Sequence, residues 1–225
     1  MCTLALSPTA MQAFNGAGAP YYHGPQGSNQ VALLCNVYMG SEYVEQLLAI
    51  AQTHQVPITF FVGGVWAKDN AALLQRIVQD GHEIGNHGTR HLLQSKLSAE
   101  QNRKEILECH QIVQNACGYE MRLFQPPSGD FSDTTLKVAF DLGYTNILWS
   151  ADTIDWRDQD VEVITNRVLN KIAGGGFILT HPTQATVQAY PILIEKLRAM
   201  GYEFSTVGNI IGVEYWFFLE GHHAF

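Results

Sequence analysis

A repeated helix–glycine–strand boundary restricts the fold of this chain more than any other feature. Three boundaries share one scheme, in which an amphipathic segment ends at glycine and a new apolar segment begins: "QDGHEI", "DLGYTN" and "AMGYEF". Glycine adopts the left-handed conformation that often follows a helix without steric cost. Helices that alternate with strands in this way predict βα units and a parallel sheet.

The pattern can be placed along the whole chain. We predict seven strands, at residues 31–37, 58–63, 82–87, 122–126, 144–150, 176–181 and 202–207. Six helices are predicted between them, at residues 42–54, 70–80, 98–116, 132–142, 160–173 and 188–200. Ser98 and Gln101 form a capping-box pattern at the start of the longest helix. The expected architecture is an α/β barrel of parallel strands over residues 31–212, with an N-terminal arm at 1–30 and a C-terminal tail at 213–225.

Composition excludes some classes of function. The 225 residues carry a formal charge of −8, which disfavours a nucleic-acid partner because a phosphate backbone attracts a basic face. No apolar run reaches the roughly 18 residues of a membrane-spanning helix. The opening residues, "MCTLALSPTAM", lack the basic segment and the apolar core of a signal peptide, so none is expected in this chain.

Polar side chains follow the predicted strands at the edge where a parallel barrel keeps its chemistry. Five strand ends contribute them, with Asn36, His87, the "QPPSGD" turn, the "SADTIDW" segment and His181. In "HGTRH", His87 and His91 are four residues apart and can converge on one divalent metal, although histidines in turns also serve as caps. His181 ends the apolar segment "ILTHP" and is a candidate general acid or base.

The acids of "SADTIDW" can orient a histidine at the barrel mouth. Asp152 and Asp155 are the candidates for this role, whereas Asp158 and Asp160 are better explained as caps of the next helix. The remaining histidines have no comparable setting and are interpreted as surface, loop or structural residues: His23, His54, His82, His110, His222 and His223.

The ordered segments "FFVGG", "GHEIGNHGTRH", "FQPPSGDF", "WSADTIDW" and "ILTHP" resemble the polysaccharide deacetylase family, the NodB-homology carbohydrate esterases. The resemblance covers about residues 31–212 and implies a distorted (β/α)7 barrel. It implies a hydrolase that removes acetyl groups from N-acetylated sugars of peptidoglycan or chitin, or from acetylated xylan. It also implies an extracytoplasmic location at the cell wall and a divalent metal, zinc, as cofactor.

The resemblance assigns roles to individual residues. His87 and His91 match the metal-binding histidines, and His181 matches the acid that protonates the departing amine. Asp155 matches the acid that tunes this histidine, with Asp152 as the alternate. The backbone N–H of Ser128 resembles the oxyanion donor, and Leu179 matches the apolar wall that meets the acetyl methyl group.

Three positions depart from the family pattern. The family's two adjacent aspartates, a general base and a metal ligand, fall on Asn36 and Val37 when "EYVEQLL" is used as the anchor. The arginine that pairs with the base falls on Gln125, so a charged pair becomes an Asn–Gln pair and the site becomes neutral. The form "CNV" also resembles a sporulation-related sub-branch of the family.

These departures leave two hypotheses. The first is a metal-dependent deacetylase with a slow, modified site and a weakly bound zinc ion, in which His181 or Asp130 replaces the missing base. Asn36 or Glu42 would be the remaining candidates for a third ligand. The second is an inactive protein that binds an N-acetylated glycan, or a partner in cell-wall or spore assembly, in the same groove.

Overall fold

The structure is a computed structural model that describes residues 18–213. Within this range, eight short strands form one parallel sheet in the order β5–β4–β3–β2–β1–β7–β6, and β8 pairs with the beginning of β1. The strands are β1 Gln30–Val37, β2 Ile58–Val62, β3 Glu83–Asn86, β4 Leu123–Phe124, β5 Thr145–Asn146, β6 Ala151–Asp152, β7 Phe177–Thr180 and β8 Glu203–Phe204. The sheet curls into a half-barrel, which confirms the predicted fold class.

Helices surround the sheet. They are α1 Ser41–His54, α2 Gly64–Asp69, α3 Ala71–Gln79, α4 Ala99–Cys117, α5 Asp133–Asp141, α6 Val161–Leu169, α7 Gln184–Ala199 and α8 Val207–Ile211. Two 3₁₀ turns, Gln94–Lys96 and Pro127–Gly129, lie in the loops that follow β3 and β4. The predicted capping box of α4 is confirmed, because Ser98 and Gln101 bond each other's backbone N–H. In the described range, no helix combines the length and apolar character of a membrane span.

Side chains alternate across β1 and so separate two apolar clusters. Val31, Leu33, Cys35 and Val37 join the outer cluster beneath the helices. Ala32 and Leu34 face the barrel interior, where they pack with Phe61, Leu123, Ile147 and Phe177. By this alternation Asn36 belongs to the interior layer, at the carboxyl end of the strand.

A short piece of the N-terminal arm lies in the seam between β5 and β7. Tyr21 donates its N–H to the carbonyl of Asn146 at 2.9 Å and accepts from the N–H of Leu148 at 2.7 Å. Gly24 donates to the carbonyl of Gly175 at 2.7 Å. Residues 21–24 therefore connect the two sides of the half-barrel by backbone hydrogen bonds. The predicted domain limits stay predictions, because residues 1–17 of the arm and 214–225 of the tail lie outside the described residues.

Some predicted elements were wrong. The strand predicted at 144–150 contains only β5, and β6 follows it as a separate strand, because the chain between them pairs with the arm at Tyr21 instead of continuing one ladder. Ser150 consequently lies beside the first residue of β7, donating its N–H to the carbonyl of Phe177 at 3.1 Å, and not at the mouth of the barrel. The helix predicted at 188–200 begins at Gln184, where Thr183 caps it. Helices α2 and α8 were not predicted.

Candidate active site

A groove of about 350 Å³ opens at the carboxyl ends of the strands. It is lined by Asn36, Tyr38, His91, Ser128, Trp149, Asp152, Trp156, Leu179 and His181. The lining residues come from the loops or ends of β1, β3, β4, β5, β6 and β7, so the barrel mouth gathers side chains that are far apart in sequence. Six residues to which the sequence assigns a site position lie together in this lining: Asn36, His91, Ser128, Asp152, Leu179 and His181.

His181 and Asp155 form a hydrogen-bonded pair at one side of the groove. The imidazole Nδ1 lies 2.7 Å from Asp155 Oδ1, and the backbone N–H of His181 donates to Oδ2 at 2.6 Å. Thr186, in the first turn of α7, also donates its hydroxyl to Oδ2. Asp155 is fully buried, whereas part of His181 is exposed to the groove. With Nδ1 held by the carboxylate, Nε2 is the ring nitrogen left to exchange a proton.

Of the two candidate acids, the structure places Asp155 against His181. Asp152 lines the groove but uses Oδ1 to accept the backbone N–H of Ile154 at 2.8 Å. Ile154 has a φ of 53°, a left-handed conformation that is rare for a β-branched residue. This local conformation directly precedes Asp155. Asp152 makes no hydrogen bond to His181, so the structure does not support Asp152 as the acid that orients this histidine.

His87 and His91 stand on the turn that follows β3. Their ring centroids are 5.2 Å apart. His87 Nδ1 lies 2.8 Å from the carbonyl oxygen of Gln125, which makes Nδ1 the protonated nitrogen, and Nε2 is buried without a partner. Burial and the neighbouring His91 lower the pKa of His87 to about 3, so at neutral pH its Nε2 carries a free lone pair. Burial also lowers the pKa of His91. A buried neutral imidazole with an unpartnered nitrogen fits a metal ligand.

The same turn is anchored by two buried side chains that sequence reasoning missed. Glu105 of α4 accepts the backbone N–H groups of Thr89 at 3.0 Å and Arg90 at 2.9 Å, and it also pairs with the Arg90 guanidinium. Asn86 accepts the N–H of Gly88 at 2.9 Å. The "GNHGTRH" segment predicts that its two histidines belong to a metal site. No pattern in the neighbouring sequence indicates that a glutamate fourteen residues after His91 contacts this turn.

Among the residues that the structure describes, no Cys, Asp, Glu or further His side chain joins His87 and His91 as a third ligand. No group of three His, Cys, Asp or Glu side chains in residues 18–213 is arranged to hold a metal ion. Glu42 does not form such a group with the two histidines, and it is exposed on α1. Val37 is fully buried in the outer apolar cluster and has no donor atom. The donor set therefore fits a two-histidine site without a carboxylate, which binds zinc less tightly than a three-ligand site.

Asn36 and Gln125 are both buried, and their side chains do not hydrogen-bond each other. Both polar atoms of the Gln125 amide and Oδ1 of Asn36 lack a hydrogen-bond partner, so the two side chains do not bond each other. An amide has fixed donor and acceptor ends, and the two amides here are not aligned as a guanidinium and a carboxylate would be. The interior layer at Asn36, His87 and Gln125 is nevertheless uncharged at neutral pH.

Other predicted residues also have defined places. Ser128 lies in the groove with a φ of 57°, inside the 3₁₀ turn that follows β4. Leu179 is almost fully buried and lines the groove from β7. Asp130, the alternate base, instead accepts the N–H of Ser95 at 2.8 Å and its hydroxyl at 2.9 Å. Both carboxylate oxygens are thus engaged in joining two loops, which disfavours a catalytic role.

A profile of the polysaccharide deacetylase family matches residues 23–147. The chain belongs to this family. The chain is 31% identical, over 84% of its length, to a peptidoglycan-N-acetylglucosamine deacetylase of Bacillus cereus, of which it covers 70%. It is also 37% identical, over 85% of its length, to the uncharacterized protein YlxY of Bacillus subtilis, of which it covers 60%.

Solved structures of the polysaccharide deacetylase family share the fold. BA3943 of Bacillus anthracis, described as a CE4 family pseudoenzyme, superposes with a TM-score of 0.84 at 35% identity, covering 86% of this chain and 69% of that one. A mutant of BA3943 is described as having restored enzymatic activity. The sporulation-related sub-branch is not tested by these relatives and stays a prediction.

Proposed function

We propose that this polysaccharide deacetylase family member is a metal-dependent deacetylase of N-acetylated glycan with a modified, slow active site. The observation that carries the proposal is the buried Asp155 carboxylate, which holds His181 at the edge of a groove that also contains His91. A buried carboxylate with three donors is costly to maintain unless all of its contacts are formed. A protein that only binds sugar has no need of a histidine oriented in this way.

The chain's own residues can supply most of the reaction. Leu179 would contact the acetyl methyl group, and the backbone N–H of Ser128 would donate to the developing oxyanion. His181 would take a proton from water at Nε2 and return it to the departing amine nitrogen, while Asp155 stabilises the imidazolium. A divalent metal, zinc, held by His87 and His91 would polarise the acetyl carbonyl and lower the pKa of bound water. Asn36 cannot accept a proton at neutral pH, so one histidine must act as base and acid in turn, which slows the reaction.

The substrate class follows from the relatives and is part of the proposal. Proteins similar to this chain are named peptidoglycan-N-acetylglucosamine deacetylases and a chitooligosaccharide deacetylase. We infer that the groove accepts N-acetylglucosamine units of peptidoglycan or of a chitin-like polymer. Action on peptidoglycan would place the protein outside the cytoplasm.

A second function is favoured by a specific observation. Asn36, Val37 and Gln125 together remove the charged atoms that the family uses on this side of the groove, and BA3943 is described as a pseudoenzyme. The alternative is therefore an inactive family member that binds N-acetylated glycan or an assembly partner. The two candidates differ in whether the natural chain releases acetate.

The test restores the two missing carboxylates in one variant and removes His181 in another. Asn36→Asp, Val37→Asp and Gln125→Arg together should increase acetate release from N-acetylglucosamine oligomers by at least ~10-fold, since a general base typically contributes 10²–10⁴-fold. Arginine is included because a buried carboxylate without a cation resists ionising. Zinc bound per chain, measured by mass spectrometry, should rise in the same variant.

The controls separate the two candidates. Slow acetate release by the natural chain that His181→Ala abolishes supports the deacetylase. No release by the natural chain, with rescue in the triple variant, supports the inactive alternative. Val37→Asp places a charge near the outer apolar cluster, so urea denaturation must show that the variant is folded, and the double variant Asn36→Asp/Gln125→Arg serves if it is not. A folded triple variant without gain would mean that the groove no longer accepts the substrate.

A further inference from the structure

Tyr38 is an aromatic residue of the groove that has no part in the proposed reaction or in the proposed metal site. It follows β1 directly and lines the groove beside Asn36. The residue is 40% exposed. An aromatic side chain kept this exposed inside a concave site retains apolar surface that a ligand can bury.

Two contacts hold the tyrosine in place. Its ring packs on the imidazole of His91, with centroids 4.1 Å apart and planes inclined by 31°. On the backbone side, Gly63 lies close to the tyrosine, since a Cβ at position 63 would be in van der Waals contact with the Cβ of Tyr38, at 3.4 Å. The ring is therefore fixed against one neighbour, while its remaining surface belongs to the groove.

Further aromatic side chains belong to the same groove. Trp156 lines it from the loop after β6 and is 61% exposed. Trp149 is partly buried and rests against Gly129, where an added Cβ would approach the indole to 2.8 Å. Between these rings the interior layer is uncharged at Asn36. The groove thus combines flat apolar surfaces with polar groups, Asp152 and His181 among them, which suits a ring that has apolar faces and hydroxyl groups at its edge.

We propose that Tyr38 is a specificity-determining residue that stacks on a pyranose ring of the N-acetylated glycan and provides a large share of its affinity without metal. The inference rests on the proposed function, because it names the residue that holds the proposed substrate. Stacking removes apolar surface of both partners from water and loses little side-chain entropy, since the tyrosine is already fixed by His91.

The experiment measures binding of a tetramer of N-acetylglucosamine by calorimetry in the presence of a chelator, which separates sugar binding from metal. Tyr38→Ala should weaken the affinity roughly tenfold, in the upper range for an aromatic contact, and Tyr38→Phe should remain within about twofold. Tyr22→Ala is the matched control, since Tyr22 is another exposed tyrosine, at 46%, and does not line the groove. Its affinity should equal that of the natural chain.

Each other outcome overturns the inference in a recognisable way. Equal affinity of Tyr38→Ala and the natural chain would show that the ring does not bind sugar. If Tyr38→Ala changed zinc affinity but not sugar affinity, the tyrosine would act only as a support for His91. A loss in Tyr38→Phe as large as in Tyr38→Ala would assign the effect to the hydroxyl group instead of stacking. No binding of the tetramer by the natural chain or by Tyr22→Ala would reject the proposed substrate class as well.

Discussion

At the scale of single residues, the two sides of the groove differ in charge and in hydrogen bonding. The Asp155 carboxylate is fully buried and receives the Thr186 hydroxyl and the backbone N–H of His181, while the His181 ring lies against its other oxygen. Asn36 and Gln125, on the other side, contribute no charge and leave amide atoms without partners. A site with this asymmetry can orient a proton donor well but has no dedicated group to activate water.

Thr186 should contribute to stability through Asp155. Replacing it by valine keeps the side-chain shape and removes the hydroxyl donor, so the buried carboxylate loses one hydrogen bond and the free energy of unfolding should fall by about 1–3 kcal/mol. Thr186→Ser keeps the donor and should recover most of this loss. Urea denaturation measures both variants. Equal stability of the valine variant and the natural chain would contradict the role of the hydroxyl.

At the scale of elements, the loops that follow β3, β4 and β6 each contain one residue other than glycine in the left-handed conformation. These residues are His91, Ser128 and Ile154, with φ values of 57°, 57° and 53°. Such conformations cost free energy and persist where surrounding contacts enforce them. In the β3 loop the enforcing element is α4, whose Glu105 carboxylate accepts backbone N–H groups of the turn between His87 and His91.

The Glu105 carboxylate should therefore support both stability and metal binding. Glu105→Gln replaces one acceptor oxygen by an NH₂ group next to backbone donors, which should lower the free energy of unfolding by about 2 kcal/mol. Because the turn that carries His87 and His91 should shift, zinc binding should also become weaker. Urea denaturation measures the change in stability, and calorimetry with added zinc measures the change in zinc affinity.

Glu108→Gln is the matched control for this substitution. Glu108 also pairs with Arg90, at 2.7 Å, but its side chain is 39% exposed, so its loss should cost less than about 1 kcal/mol. It should leave zinc affinity unchanged. If both variants behaved alike, the Arg90 ion pairs and not the backbone contacts of Glu105 would hold the turn.

At the scale of the whole molecule, the N-terminal arm completes the half-barrel. Residues 21–24 bridge β5 and β7 through backbone hydrogen bonds, and Tyr21 packs into the interior cluster. The arm runs past Gly174, where an added Cβ would lie 1.8 Å from the carbonyl oxygen of Ser28. Because this contact is with a backbone atom, no side-chain rotation can relieve it.

Gly174→Ala should therefore displace the arm from the seam. The expected loss of stability is about 1–3 kcal/mol, as for other overpacked sites. Mass spectrometry should detect faster chymotrypsin cleavage after Tyr21 or Tyr22. Ala173→Ser, an exposed change in the same turn, is the control and should be cleaved like the natural chain. Unchanged cleavage in Gly174→Ala would show that the arm is not held at this point.

The sequence alone determined the parallel α/β fold, the family and the edge of the sheet that carries the site. These properties follow from local periodicity, glycine positions and the order of short motifs, each of which is contained within a few neighbouring residues. The capping box at Ser98 and Gln101 and the placement of His181 beyond a buried strand belong to this class, and both agree with the structure.

Contacts between distant segments were decided only by the tertiary structure. It paired His181 with Asp155 and not with Asp152, and it joined Asp130 to Ser95. It left the side chains of Asn36 and Gln125 without a hydrogen bond between them. It also brought Thr186 to Asp155 and Tyr38 to His91. Each of these results depends on the direction of side chains that project from different elements, and that direction is set by how the strands curl and the helices pack. No pattern within one segment contains this information.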